Sequence, residues 1–490
     1  MNSPHPRTAL AHRNLVRELF ALERSGQFEQ AMAELRGIWD DTTDEPRVQD
    51  LDARTSAEIY LRCGALIGFL GHSRQLPSAQ DRSKNLLTRA RSTFLEIYAP
   101  EKLAECENYL ALAYWRTGEI NEAESWIEEA QSHELSNTCD AWLYSQVIRS
   151  LVHLSQKRFA EISENFSVLR ESFLENADNF LIGNFYMNFG IAARNIGDIS
   201  NALESLCHAR EFFGRAGNKV QVAMVENNLS YLYKSERRFV EAHEAIDRGT
   251  DLFRQVGDRT REGFSLDSKA LIYLDEGRFQ EALEIIEQGI SILKKSENYG
   301  YLTESIATKA KIQLFSSDFS TSTLTLLEAV ELAKIRVSEE AAMRLIREFE
   351  QALNDRNVGK DRRAGSARTE LAADDLRLIL PTSISHYEDY QGIWISNSDL
   401  EQYGLERGSL AIVVPDKVRR GDLIALMELS RDLVSCGLYD CDFGIVCLEA
   451  AGSEPQLFDE SDVRILGKIV GVCRSEKNAD GTLEVSPLDL

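Results

Sequence analysis

The chain has 490 residues, of which 43% are hydrophobic and 27% charged, so it can bury a sizeable core and is long enough for two or more domains. Its 79 acidic residues outnumber its 55 basic ones, and the formal charge of −24 disfavours direct binding to nucleic acid or to anionic membranes. Eight scattered cysteines, no apolar signal core and no membrane-length apolar run predict a cytoplasmic protein with reduced thiols.

Residues 1–11 are predicted to be a flexible N-terminus, and residues 12–353 are predicted to be a long array of helices. In this array a turn of Gly or another polar residue, followed by Phe or Ile, recurs. Successive turns are 39, 40, 40, 40 and 40 residues apart, counted from the apolar anchors Ile120, Phe159, Ile199, Phe239, Phe279 and Phe319. Because the turn residue ends one helix and the anchor begins the next, each unit is predicted to be an α-helical hairpin.

The repeated unit resembles the forty-residue form of the tetratricopeptide repeat found in bacterial regulators and kinesin-light-chain-like proteins. The resemblance is carried by these turns and by a small residue, often followed by Tyr, on the preceding helix, as in Ala111 and Tyr114. It implies a right-handed superhelix over 12–353 whose concave groove binds a peptide or a partner helix. It therefore implies a binding protein, with no cofactor and no metal.

Two Asn residues of the array, Asn188 and Asn228, occupy the same slot of the first helix in neighbouring repeats. In peptide-binding members of the family, Asn at this slot holds the backbone or the terminal carboxylate of the ligand, since an amide both donates and accepts hydrogen bonds. An equally open interpretation is that these amides bond between neighbouring helices. The predicted partner-binding residues are Asn184, Asn188, Arg194, Asn227, Asn228, Tyr231 and Lys234. A second candidate patch comprises Asn108, Trp115 and Arg116.

After the array the pattern changes twice. Residues 354–373 begin with a basic stretch that has almost no apolar side chains, so they are predicted to be an exposed, flexible linker. Residues 374–490 contain short apolar runs bounded by Gly, Pro and Asp, which predict a small, mostly β domain. The predicted strands lie at 376–380, 392–395, 409–414, 422–427, 443–448 and 463–474. The predicted fold is thus multidomain, α followed by β.

The β domain resembles the C-terminal domain of LexA-type repressors and signal peptidases in the segments 403–413, 418–425 and 465–472. That family cuts peptide bonds with a Ser nucleophile that a neutral Lys deprotonates. The resemblance places the general-base Lys on the strand at 443–448, which contains no Lys. We therefore expect a domain without catalytic activity that serves for interaction or for homodimerisation.

An autoproteolytic enzyme is the alternative. The resemblance places the nucleophile just before Gly404, at Ser396 or Ser398, with Asp399 at the slot if no gap is allowed. LexA-type repressors cut themselves at an Ala-Gly bond in the linker, and this linker contains Ala364-Gly365. Self-cleavage there, with Ser398 as the candidate nucleophile, and cleavage of the linker by another protease both remain open.

Taken together, these patterns predict a regulatory or scaffold protein of bacterial type that captures a protein or peptide in the helical array. A sensor of a small ligand or a signalling peptide in the same groove is a further alternative.

Overall fold

The structure, a computed structural model, describes residues 6–74, 76, 78–296, 298–316 and 319–361, and in the C-terminal region nine strands and residues 417–419. The chain divides into two compact units. The first comprises Met1–Glu276 and Ser291–Asn298, and the second comprises Gly277–Ile290 and Tyr299–Leu490.

Seventeen helices occupy the described part of the chain up to residue 361. They are α1 (Pro6–Arg24), α2 (Phe28–Glu34), α3 (Ala53–Arg74), α4 (Ala79–Glu96), α5 (Pro100–Arg116), α6 (Ile120–Ser132), α7 (Asp140–Ser155), α8 (Phe159–Asn176), α9 (Asn179–Asn195), α10 (Ile199–Arg215), α11 (Lys219–Ser235), α12 (Phe239–Gln255), α13 (Arg259–Glu276), α14 (Phe279–Ser296), α15 (Tyr299–Phe315), α16 (Phe319–Arg336) and α17 (Glu339–Asp361). The predicted anchors begin α6, α8, α10, α12, α14 and α16, so the prediction of helical hairpins is confirmed.

In the turns before Ile120, Phe159, Ile199, Phe239 and Phe279, the residue two positions before the anchor is left-handed. Gly occupies this position at Gly118, Gly197 and Gly277, with φ of 81°, 83° and 78°. Lys157 and Arg237 occupy it in the other two turns with φ of 60° and 56°. Because a Cβ is disfavoured in this region, these two turns are strained and the three Gly turns are not.

The first helices of three successive repeats begin with the same kind of cap. Asp178, Asn218 and Asp258 lie forty residues apart and accept hydrogen bonds from the backbone N–H three residues later, at 2.8, 3.1 and 3.0 Å. Such a cap satisfies one of the N–H groups that a helix leaves unpaired at its start. The repeat is therefore specified at the start of the hairpin as well as at its turn.

Within the first unit, the two helices of a hairpin pack closely, as in the pairs α3 and α4, α5 and α6, α9 and α10, and α11 and α12. The Ala three residues after the anchor, at Ala123, Ala202 and Ala242, is fully buried in the last three of these pairs. A side chain of this size allows two helix backbones to approach closely. The second unit contains the pair α15 and α16, against which α17 packs.

Both ends of the helical array differ from the prediction. Helix α1 begins at Pro6, inside the segment expected to be flexible, and α17 runs past Asn354 to Asp361, into the segment expected to be linker. Once a helix has begun, each added residue gains a backbone hydrogen bond whether or not its side chain is buried. A polar composition therefore did not mark the helix ends.

The C-terminal region forms one sheet. Its strands are β1 (Leu378–Ile379), β2 (Gln391–Trp394), β3 (Leu410–Val414), β4 (Leu423–Glu428), β5 (Leu433–Asp442), β6 (Ile445–Glu449), β7 (Gln456–Asp459), β8 (Val463–Lys477) and β9 (Leu483–Pro487). The order is β1-β9-β8-β4-β5-β6-β7, with β2 on β3 and β3 on β8. All neighbours are antiparallel except β1 and β9, and the long β8 pairs with β3, β4 and β9.

Six strands overlap the six predicted ones, and β5, β7 and β9 were not predicted. Ser, Gly and Asp residues interrupt the apolar residues of β5, so the strand contains no continuous apolar run to mark it. The buried residues described in the sheet lie in β3, β4 and β8, which are the strands with such runs. The resemblance to the LexA-type fold remains a prediction.

Candidate functional site

The candidate site lies on what we call the inner wall of the first unit, formed by α3, α5, α7, α9, α11 and α13. Each of these helices packs on the next, and α13 also contacts α3. The second helices form the outside, where Leu95, Val168 and Val240 are 54%, 73% and 70% exposed. Side chains of the first helices that no second helix covers therefore face inwards.

The inner wall is closed over part of its length. Residues 103–113 of α5 are all buried, as are residues 180–188 of α9. A helix with an exposed inner face would alternate buried and exposed positions. The interior beside these two helices is therefore filled by the chain itself.

The predicted residues of α9 lie in this closed part. Asn188 is fully buried, and its Nδ2 donates a hydrogen bond to the Val147 carbonyl of α7 at 3.1 Å. Asn184 is also buried, and its Nδ2 donates to the Phe180 carbonyl at 2.8 Å. Neither side chain is accessible to a partner in this structure. Asn188 thus bonds between neighbouring helices, which is the second of the two interpretations of this slot.

The second candidate patch also bonds within the chain. The Nδ2 of Asn108 donates to the Ala141 carbonyl at 2.7 Å, and Nε1 of Trp115 donates to Oγ of Ser155 at 2.8 Å. These bonds tie α5 to α7. The Oδ1 atom of Asn108 has no hydrogen-bond partner, but the residue is fully buried and a ligand cannot reach it in this structure.

Arg116 is the member of that patch without a polar partner among the described residues. Its guanidinium lies 4.4 Å from the centroid of the Phe69 ring. Burial, together with the like charge of Arg261, lowers the pKa of Arg116 to about 10.

The inner wall is open at α11. Val220, Met224, Asn227, Tyr231 and Lys234 are half-buried and spaced by four, three, four and three residues. This spacing places them on one face of the helix. We call these five residues the α11 stripe. Four of the seven predicted partner-binding residues lie on it or beside it, since Asn228 is also half-buried.

The amides at the α11 stripe are incompletely bonded. The Oδ1 atom of Asn227 is buried and has no hydrogen-bond partner. Asn228 donates from Nδ2 to the Met224 carbonyl of its own helix at 3.0 Å. A buried acceptor without a donor is unfavourable, and a ligand N–H would relieve this.

The remaining predicted residues bring a hydroxyl and two cations to the stripe. The Tyr231 hydroxyl accepts from Oγ of Ser268 at 3.2 Å, and Nζ of Lys234 lies 3.1 Å from Oδ2 of Asp275. Arg194 is half-buried and forms no ion pair among the described residues, and burial lowers its pKa. The stripe can therefore offer an amide, a hydroxyl and an uncompensated guanidinium to a partner.

A cluster that the sequence analysis missed fills the closed part of the wall. Arg62 of α3 is 2% exposed and donates to Oε2 of Glu23 at 2.7 Å and to Glu105. The other oxygen of Glu23 accepts from the hydroxyl of Tyr109, and Lys102 donates to Glu105 at 2.7 Å. The end of α1 is thereby tied to α3 and α5 by buried charges.

The acids of this cluster have shifted pKa values. Burial raises the pKa of Glu23, although Arg62 and Tyr109 oppose the shift. Burial acts in the same direction on Glu105, but there the charges of Arg62 and Lys102 prevail and lower the pKa to about 2. Glu105 is therefore an ion-paired carboxylate at neutral pH.

The next residue of α1 reaches further along the wall. Nη2 of Arg24 donates to Oδ2 of Asp140 at 2.7 Å, and Nη1 lies 3.8 Å from Oδ1 of Asp178. Its backbone carbonyl accepts from Nδ2 of Asn218 at 2.9 Å. Three rings stand within about 5 Å of its guanidinium, namely Phe20 at 4.8 Å, Tyr144 at 5.0 Å and Phe180 at 5.0 Å. We call the two carboxylates and three rings the Arg24 cage.

A sequence signal for this cluster exists. Arg62 interrupts the apolar run of α3, and Glu105 and Glu107 interrupt that of α5. A charge within an apolar helix face is rarely left unpaired, so such positions point to buried ion pairs. Nothing in the sequence indicates that α1 supplies the partner.

The predicted cleavage site and the candidate nucleophiles of the peptidase-like domain lie outside the described residues. They are Ala364 and Gly365, and Ser396, Ser398 and Asp399. Among the described residues, Lys468 lies on β8 between Ile424 of β4 and Val414 of β3. Strand β6, the position expected for the general base, contains no Lys.

No group of three or more potential metal-binding side chains converges anywhere in the described part of the chain. None of the described helices combines the length and the apolar composition that a membrane span requires.

Comparison with known proteins supports the repeat assignment. A family model described as the tetratricopeptide repeat matches residues 265–292, which span the turn between α13 and α14. The segment from α13 to α14 is thus similar to a tetratricopeptide repeat. No curated protein matches the chain.

Solved structures with similar folds include a Rap protein complexed with competence and sporulation factor, with 15% identity over 71% of this chain and 98% of that one, at a TM-score of 0.45. Aspartyl phosphate phosphatase F from Bacillus subtilis has 13% identity over 68% of this chain and 96% of that one, at a TM-score of 0.44. BtubC (BKLC) from P. vanneervenii has 19% identity over 45% of this chain and 91% of that one, at a TM-score of 0.37. Likenesses of this degree assign no activity.

Proposed function

We propose that the protein is a regulator or scaffold that binds a protein or peptide partner on the inner wall of its helical repeats, at the α11 stripe. One observation carries the proposal. The inner face of α11 is accessible, whereas the corresponding faces of α5 and α9 are buried.

The chemistry of the stripe suits an extended peptide. The unpaired Oδ1 of Asn227 can accept a backbone N–H, and the amide of Asn228 can bond to a backbone group of the ligand. Bonds to the backbone give affinity with little demand on the ligand's sequence. Arg194, which pairs with no carboxylate within the part of the chain that the structure describes, can bind an acidic side chain or a terminal carboxylate of the partner.

In this proposal, the predicted residues have two roles. Asn227, Asn228, Tyr231, Lys234 and Arg194 contact the partner. Asn184 and Asn188 do not contact the partner, because both are buried, and the amide of Asn188 ties α9 to α7.

The experiment is site-specific photo-crosslinking in cells of the native host. A photoreactive phenylalanine analogue replaces Tyr231 in the full-length protein, and the matched control carries it at Val240, which is 70% exposed on the outside of α12. We expect a crosslinked partner at position 231 that is absent at 240 and is lost in the Arg194→Ala, Asn227→Ala background. Equal crosslinking at both positions, or none at 231, would contradict the proposal.

We further propose that the C-terminal sheet is a module for interaction or homodimerisation without peptidase activity. The absence of Lys from β6 supports this, since a Ser hydroxyl without a general base stays protonated near pH 7. Incubation of the full-length protein at raised pH should leave the chain intact. Fragments that end near Ala364 and disappear in Ser398→Ala would establish self-cleavage instead. Sedimentation of the full-length protein would show whether it forms a homodimer.

A further inference from the structure

The Arg24 cage is a built site for a guanidinium. Its carboxylates come from the starts of two neighbouring first helices, Asp140 from α7 and Asp178 from α9. Its rings come from α1, α7 and α9, and they surround the Arg24 side chain, which is only 8% exposed. A planar, weakly hydrated cation among aromatic rings and carboxylates is the arrangement that favours Arg over Lys.

The cage is accessible from solvent even with Arg24 in place. The side chains of Asp140 and Asp178 are 46% and 41% exposed. A second guanidinium can therefore approach either carboxylate before Arg24 leaves.

Arg24 is also incompletely satisfied. Its Nε and Nη1 atoms are buried without a hydrogen-bond partner, and Nη1 lies too far from Asp178, at 3.8 Å, to donate to it. A buried donor without an acceptor weakens the docked state. An arginine presented from another direction could donate to both carboxylates and would then bind better than Arg24 does.

We propose that the Arg24 cage binds an arginine side chain of the protein partner, and that Arg24 occupies the cage within the chain until the partner displaces it. The proposal deepens the proposed function and rests on it only for the existence of a protein partner. It adds that the partner presents an arginine-bearing segment. A basic segment also complements a chain whose formal charge is −24.

The first test asks whether the cage accepts a free guanidinium. In full-length Arg24→Ala, N-propylguanidinium should raise the melting temperature by about 3 °C at ten times its Kd. Butylammonium, which has the charge without the planar group, is the matched probe. Wild type should respond more weakly to the guanidinium, because Arg24 competes for the cage, and should not respond to butylammonium. An equal response to both cations, or none to the guanidinium, would overturn the proposal.

The second test asks whether exchange occurs. A fluorescent peptide with the sequence Glu-Arg-Ser-Gly of residues 23–26 should bind Arg24→Ala at least tenfold more tightly than wild type, and its Arg→Ala counterpart should bind neither protein. The addition of Asp140→Asn to Arg24→Ala should abolish the preference. Binding to Arg24→Ala without any binding to wild type at a hundredfold higher concentration would show a fixed structural contact and refute exchange.

Two controls complete the test. If Arg24→Ala does not fold, Arg24→Lys retains the charge but loses the planar group, and the peptide should still bind it more tightly than it binds wild type. Crosslinking at Tyr231 reports separately on the α11 stripe. A crosslinked partner together with an unresponsive cage would remove the arginine proposal and leave the proposed function intact.

Discussion

Helices α9 and α11 are alternate helices of the same array and carry the same Asn slot, yet their inner faces differ. Asn188 is sealed in the core and bonds to α7, whereas Asn228 is half-buried and bonds only to its own helix. Both residues occupy the same repeat position, so the repeat pattern alone does not set whether a side chain there is buried.

The largest effect is expected from the buried charges of Arg62, Glu23 and Glu105. Arg62→Ala leaves the buried carboxylates of Glu23 and Glu105 without their cation, so the free energy of unfolding should fall by about 3–5 kcal/mol. The matched control is Arg89→Ala, whose pair with Glu45 is exposed and should contribute under about 1 kcal/mol. Urea titrations would measure both. Similar losses for the two variants would show that the cluster does not hold the wall closed.

The pH dependence of stability should report on the same cluster. The pKa of Glu105 is lowered to about 2 in the folded chain, so its ion pairs stabilise the protein above its ordinary pKa of 4.5 and are lost as the pH falls from 4.5 towards 2. The loss should be about 3 kcal/mol. In Glu105→Gln this component should be absent from urea titrations across that range. The pKa of Glu23 is raised, so its protonation acts in the opposite direction and should persist in the variant.

The two Asn residues provide the most direct test of the comparison. Asn188→Ala removes a fully buried side chain and its hydrogen bond from α9 to the Val147 carbonyl of α7, so the protein should lose about 2 kcal/mol of stability. Asn228→Ala should cost under about 1 kcal/mol, because its partner lies on the same helix and the site is half-exposed. Crosslinking at Tyr231 should weaken in Asn228→Ala. The reverse order of stabilities would mean that the two faces do not differ as described.

The smallest effect is expected at the turns. Arg237→Gly and Lys157→Gly should each stabilise the protein by about 0.5–1 kcal/mol, since glycine adopts positive φ without strain. Gly197→Ala, at the equivalent turn, should destabilise it by a similar amount. Thermal melts of the three variants would show the opposite signs. Destabilisation by Arg237→Gly would indicate that the contact of Arg237 with Phe239, at 5.4 Å, outweighs the strain.

The hairpins could be predicted because their signals are local. The turn residue and its anchor lie two residues apart, and each cap acts three residues along the chain, so the sequence specifies the hairpins one by one. Asn228, which lies beside the α11 stripe, could be predicted for the same reason, because it follows Asn188 by forty residues. What could not be predicted is the buried cluster at the end of α1, because Glu23 and Arg24 meet residues that the repeat period does not connect to them.

The amide of Asn218 joins two tasks. Its Oδ1 starts α11, and its Nδ2 holds the carbonyl of Arg24, which lies 194 residues earlier. During synthesis Arg24 therefore leaves the ribosome long before Asn218 exists. Four complete hairpins, α3–α4 to α9–α10, separate the two residues, so this bond can form only after all four have emerged. The beginning of the polypeptide therefore completes its contacts late in the assembly of this unit.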